Sequence, residues 1–493
     1  MLKRLRNKLN LPKWLCIFLF LILILRIPSF FEPYFYGDEM IYMTLGQGIR
    51  QGIHLYKGIY DNKPPLLYIV AAIAGNLFWF KTIMAFANII SIYFFWKLSK
   101  VLFPKNNLLH KISTIVFGLL TTLPLFEGNI VNAELFMITP IIGGLIIVFS
   151  KKNNFKNLFL VGSLFSIASL FKMPALFDLP AIIIFWLIYS ISNKTDFITF
   201  IKRVLYLSLG FITPILLTFI WFYFQGSLKD YVLAAYLQNV GYLSSYRPSD
   251  LQQPFIIKNL PLLTRALIVL IAAIFFYLKR KKLSKNFIFI SLWLFFSLFA
   301  ATLSERPYPH YLIQAVPAMS LLLGMLFTDE SLEQSLTIIP LAIAFFVPVF
   351  FNYYQYPTLS YYSRFVSFVS RRISKKEYLL SFDKNVIRNY DISNFLASSM
   401  SKNEKVFIVG DSATIYALSR KLPPIKYVAD YHINDYSSLN NEVNLLSQNL
   451  PKFIVILPQK MNITPLVPII RQNYILVSEI DGAEIWKISS LNK

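Results

Sequence analysis

Long uninterrupted apolar runs constrain this chain more than any other feature. Residues 14–25 and 340–351 contain no charged side chain, and they show neither period-two alternation nor a narrow amphipathic stripe. Such runs need lipid as their solvent. The bulk composition agrees: 56% of residues are hydrophobic and 15% charged, too little charge to cover a water-facing surface of this size. Inside a bilayer each segment must satisfy its own backbone hydrogen bonds, and uninterrupted apolar runs do so as helices. The expected fold class is a polytopic α-helical membrane protein.

Charge placement gives the topology. The net charge of +23 is not the footprint of a nucleic-acid protein, because Lys and Arg fall in short clusters between the apolar runs, around 3–13, 97–111, 151–156 and 279–285. Anionic lipids and the membrane potential hold such loops in the cytoplasm. With the N-terminus inside, a first span over 14–30 ends outside. If 64–80 and 81–96 both crossed, the basic 97–111 loop would lie outside, against that bias, so 64–80 is expected as a helix at the outer interface. The remaining spans fall near 81–97, 112–126, 133–150, 157–173, 175–191, 203–225, 259–279, 286–303, 309–327 and 335–354, about eleven in all. The acidic loop 328–334 dissents, but acidic residues weigh little in orientation. The lone cysteine, Cys16, leaves no intrachain disulfide and no Cys-based metal site. The N-terminal basic-then-apolar pattern lacks a small-residue cleavage site and reads as a retained first span.

Two parts are expected: a transmembrane catalytic domain over 1–355, with a first outer loop over 31–80, and an extracytoplasmic α/β domain over 370–493. The latter alternates short β-like runs at 405–409, 453–457, 474–477 and 484–488 with helical stretches at 413–419 and 443–450. Gly410-Asp411-Ser412 follows a strand, but no Gly-rich phosphate loop accompanies it, and no nucleotide is assigned to it.

The first outer loop carries the chemistry-bearing residues: Tyr36-Gly37-Asp38-Glu39, Tyr42, and Asp61-Asn62-Lys63-Pro64-Pro65. Two adjacent carboxylates directly after a span are unusual. Apolar residues recur at helical spacing over 39–49, which puts the acid pair at a helix N-terminus, where the dipole favours anions by about 0.3–1 kcal/mol. By periodicity alone, Asp38 reads equally as a helix cap and as a functional carboxylate.

The loop resembles the first-loop signature of the GT-C glycosyltransferases, specifically family 39 and its relatives, the protein O-mannosyltransferases and the lipid A aminoarabinose transferase. The likeness continues in order through Asn132-Ala133-Glu134, Phe171-Lys172-Met173-Pro174 and Arg306-Pro307-Tyr308-Pro309-His310-Tyr311, over roughly 14–350. The resemblance implies a polyprenyl-phosphate sugar as donor, inversion at the anomeric centre, and Asp38 as base with Glu39 beside it. It implies Glu134 as a second acidic residue, and Lys63, Lys172, Arg306 and His310 at the donor phosphate. Asp61, Tyr311, Asp178 and Arg247 are further candidates. No Trp-Trp-Asp motif occurs in the tail, which argues against an oligosaccharyltransferase. The acceptor (lipid, glycan or protein) and any divalent metal stay open. The rival class is a multi-spanning transporter or flippase, which would gather ionisable residues near the midplane of two repeated halves. Here they collect at one predicted face, and the halves show no repeat.

Overall fold

The computed structural model describes residues 11–190, 194–239, 254–304, 306–328, 331–410, 413–458 and 463–489. Arg247, Asp411 and Ser412 therefore lie outside the described residues. The chain divides into two compact units, one of Met1–Ser29, Thr82–Trp221 and Tyr236–Thr358, the other of Phe30–Lys81, Phe222–Ala235 and Leu359–Lys493.

Among the described residues, seven helices are long and apolar enough to cross a bilayer: Lys13–Phe31, Leu77–Leu102, Ala133–Ser150, Met173–Ser190, Lys194–Phe224, Leu260–Lys279 and Leu332–Phe350. Four shorter apolar helices, Asn107–Leu120, Phe155–Phe171, Lys285–Ala301 and Val316–Thr328, lie between them. Every span expected from the sequence overlaps one of these helices, and the protein is a multi-pass membrane protein. The fit is looser at the ends. Residues 64–80 form a nine-residue helix, Leu66–Ala74, that stops at left-handed Gly75. Asn76 then accepts the Trp79 N–H as the next helix begins at Leu77, before the expected start. Nine residues rise only about 13 Å, well short of the roughly 30 Å hydrocarbon core.

Within the first unit the helices differ in what surrounds them. Lys194–Phe224 and Leu260–Lys279 leave leucines such as Leu205, Leu217 and Leu270 more than half exposed, the pattern of lipid-facing helices. Lys285–Ala301 is apolar all round and buries most of its side chains, as an interior helix must. Phe155–Phe171 and Lys194–Phe224 cross with their backbones almost touching. A Cβ on Gly162 would lie 2.0 Å from the Leu207 carbonyl, and one on Gly210 would lie 2.0 Å from that of Phe159. Ser163 donates across the crossing to the Gly210 carbonyl at 3.1 Å, a small-residue contact of the kind that joins helices in lipid.

The second unit joins the segment Phe30–Lys81 to the tail. Helix Gly37–Arg50 packs on Leu66–Ala74 so closely that a Cβ on Gly46 would sit 2.6 Å from the Ala72 nitrogen. The tail contains a four-stranded sheet, β1 (Val406–Val409), β2 (Phe453–Ile456), β3 (Tyr474–Ile480) and β4 (Ala483–Ile488), in the order β1-β2-β4-β3. β1 and β2 run parallel, and the other pairs are antiparallel. Asp481 and Gly482, with φ of 48° and 74°, make the tight β3–β4 turn that needs two positive φ angles in succession. The α/β character expected of the tail is present. The sequence reading missed helix Asp430–Tyr436.

Candidate functional site

In the second unit, helix Gly37–Arg50 takes Tyr36 as its cap residue and carries Asp38 and Glu39 in its first turn. Asp38 is therefore not the capping residue. Consecutive helical positions point about 100° apart, and the two carboxylates meet different surroundings. Asp38 Oδ2 accepts a hydrogen bond of 2.8 Å from the Tyr42 hydroxyl one turn on and lies 3.6 Å from Lys63 Nζ. Its side chain stays 31% exposed, open to a reactant. Glu39 is fully buried, with Oε1 3.1 Å from Lys81 Nζ. Lys81 also meets Glu32 at 2.5 Å, and Glu32 accepts from the Tyr361 hydroxyl at 2.5 Å.

Lys63 stands almost midway between two carboxylates, 3.6 Å from Asp38 and 3.7 Å from Asp61, and its ammonium lies 5.0 Å from the centre of the Tyr42 ring. Asp61 is buried. Its Oδ2 accepts from the Tyr68 hydroxyl at 2.8 Å, and its Oδ1 accepts from the Asn62 N–H at 2.8 Å and meets His432 Nε2 at 3.2 Å. Burial alone would raise the Asp61 carboxyl. Lys63 and the hydrogen bonds from His432 and Tyr68 outweigh it and hold the carboxyl well below its ordinary value. Burial, reinforced by the neighbouring carboxylates, pushes the Tyr42 and Tyr68 hydroxyls well up. Both remain protonated donors.

In the first unit, Lys172 is ion-paired with Glu134, and its ammonium lies 3.7 Å from the centre of the Tyr311 ring. His310 Nδ1 is hydrogen-bonded to Glu127, and the His310 ring lies edge-on to Tyr311 at 4.7 Å. Glu134, Lys172, His310 and Tyr311 are thus neighbours, and exposed Arg306 leads into the short helix Pro309–Gln314 that carries His310 and Tyr311. Lys63 belongs to the other unit. Asp178 is buried away from solvent, its carboxyl group accepting from Trp293 and Ser297 at 2.7 Å each and from Gln314 at 2.6 Å.

Sequence reasoning overlooked Glu32, Lys81, Glu127 and His432. Lys81 and Glu127 stand at apolar boundaries, but in none of the motifs that carry the resemblance. His432 carried no signal beyond a lone histidine among tyrosines. Among the described residues, no group of three or more His, Cys, Asp or Glu side chains is arranged to hold a metal ion.

No protein-family model matches the chain, and no curated protein matches it by sequence. Solved structures do. ArnT from Cupriavidus metallidurans bound to undecaprenyl phosphate superposes with a TM-score of 0.59 at 14% identity, covering 97% of this chain and 99% of that one. ArnT from the same organism in the apo state gives a TM-score of 0.54 at 13% identity over 96% and 97% of the two chains. At such identities the likeness is one of architecture, and it extends over nearly the whole of both chains: this protein has the GT-C fold, in the arrangement seen in ArnT.

Proposed function

We propose that this protein is a membrane glycosyltransferase that moves a hexosyl or pentosyl group from a polyprenyl-phosphate donor to an acceptor on the extracytoplasmic side, with inversion. The observation that carries this reading is Asp38: a part-exposed carboxylate in the first turn of a helix, fixed by Tyr42 and paired with Lys63, in a chain with the fold of a protein solved with undecaprenyl phosphate bound. The acceptor hydroxyl gives its proton to Asp38 as its oxygen bonds the anomeric carbon. The bond from that carbon to the phosphate oxygen breaks, and the electron pair leaves with the polyprenyl phosphate. A single displacement inverts the centre.

Cations stabilise the departing phosphate through charge-assisted hydrogen bonds. The resemblance assigns that role to Lys63 in the second unit and, separately, to Lys172, Arg306 and His310 in the first, where Glu134 is the second acid, ion-paired with Lys172. Glu39, buried against Lys81, is a support for the helix that carries Asp38. Asp178, satisfied by Trp293, Ser297 and Gln314, is a packing residue. The N-terminus is cytoplasmic and the tail extracytoplasmic.

Purified protein, incubated with a panel of polyprenyl-phosphate sugars and mixed lipid, glycan and peptide acceptors, is expected to release free polyprenyl phosphate from one donor in step with acceptor glycosylation. Movement of labelled lipid across proteoliposomes with every donor left intact would establish the transporter class instead.

A further inference from the structure

The tail reaches the first outer loop through its helix Asp430–Tyr436, all within the second unit. The Tyr60 N–H donates to the Lys426 carbonyl at 2.9 Å, and the Asn62 amide donates to the Tyr436 hydroxyl at 2.8 Å. The Tyr60 ring meets the Tyr427, His432 and Tyr436 rings edge-on, at 5.1, 5.7 and 5.3 Å. These contacts dock residues 60–62 on the tail. His432 goes further, because its Nε2 faces a carboxylate oxygen of Asp61 at 3.2 Å while its ring is 1% exposed. Its Nδ1 is buried without a hydrogen-bond partner among the described residues. The ring is thus oriented by the carboxylate on one side and by aromatic packing elsewhere.

Asp61 in turn bears on Lys63 twice. Its Oδ2 lies 3.7 Å from Lys63 Nζ, and the Tyr68 hydroxyl that donates to it also accepts the Lys63 N–H at 3.1 Å. Lys63 is the cation next to Asp38. We infer that His432 is a positioning residue: from the C-terminal α/β part it fixes Asp61 so that Lys63 is shared between Asp61 and Asp38. Without the Nε2–H donor, a buried carboxylate loses a partner and its remaining charge draws the ammonium toward itself and away from Asp38. The tail is then a constituent of the reacting array. This inference rests on the glycosyltransferase reading for its kinetic consequence but not for its geometry.

Two substitutions separate donation from packing. His432→Gln keeps an N–H donor near the position of Nε2 and loses the ring, while His432→Phe keeps the ring and loses the donor. In folded preparations with matched thermal midpoints, turnover of the polyprenyl-phosphate sugar should fall about 10- to 100-fold in the Phe protein, as expected for losing a hydrogen bond to a charged group. The Gln protein should recover most of it. Equal turnover in the two, whether high or low, or a Phe protein better than the Gln one, overturns the inference. A second arm needs no activity. Nitrogen-15 NMR of histidine-labelled protein, with only 4 histidines in the chain and the His432 signal assigned by replacing the other three, should show Nε2 carrying a proton. A bare Nε2 could not donate to Asp61 and would overturn the inference outright. If the wild-type protein turns over no such sugar, the glycosyltransferase reading fails, and the NMR arm still decides the role of His432.

Discussion

Adjacent residues of one type divide their roles by burial. Asp38 keeps a third of its side chain open, whereas Glu39 is sealed against Lys81 together with Glu32. Two buried carboxylates around one ammonium make the lysine the indispensable member. Lys81→Met leaves both anions without it and is expected to cost about 3–5 kcal/mol of stability, seen as loss of folded protein in detergent. Glu39→Gln still offers Lys81 an acceptor and should cost about 1 kcal/mol, with turnover close to normal. Asp61 is tied to acid stability. Its folded carboxyl titrates below the unfolded value, so its contribution is full above about pH 4 and is lost as the pH falls through the folded value. Asp61→Asn should flatten the acid limb of a plot of thermal midpoint against pH. An unchanged limb would place the ionic stabilisation elsewhere.

At the scale of elements, most of what was legible came from solvent. Apolar runs have to become helices in lipid, so the expected spans reappear, with errors at their ends where local caps decide. Gly75 and Asn76 restart a helix at Leu77, and no hydropathy average detects such a break. Short motifs were legible as well: Asp38, Lys63, Glu134 and Lys172 each stand in one that the resemblance picked out. Partners distant in the chain were not. Asn62 and Tyr436 are 374 residues apart, and periodicity is silent over that distance, so neither the docking of the tail on the first loop nor His432 could be read from the sequence. Close helix crossings were also invisible, because glycine in an apolar run looks like any small residue. Gly210→Val should force apart the crossing at Phe159 and lower the yield of folded protein sharply. Val at exposed Leu217, which faces lipid, should change it little. Equal yields would mean that the crossing contributes nothing to assembly.

For the whole molecule, orientation and chemistry are one question, since a base for an extracytoplasmic acceptor must lie outside. In a background with Cys16 replaced, single cysteines in 97–111 and 279–285 should react with impermeant reagents only after permeabilisation, and cysteines at exposed tail positions such as Lys402 should react without it. The reverse pattern would invert the topology and remove Asp38 from its acceptor. The claim on which everything else depends is that Asp38 takes the acceptor proton, and Asp38→Asn tests it most directly. The amide preserves size and can still accept from Tyr42, so folding and donor binding should survive. Turnover with the true donor should drop by about 10²–10⁴-fold, the range expected of a positioned general base. An Asn protein folded like the wild type and transferring sugar at a near-normal rate would contradict the account.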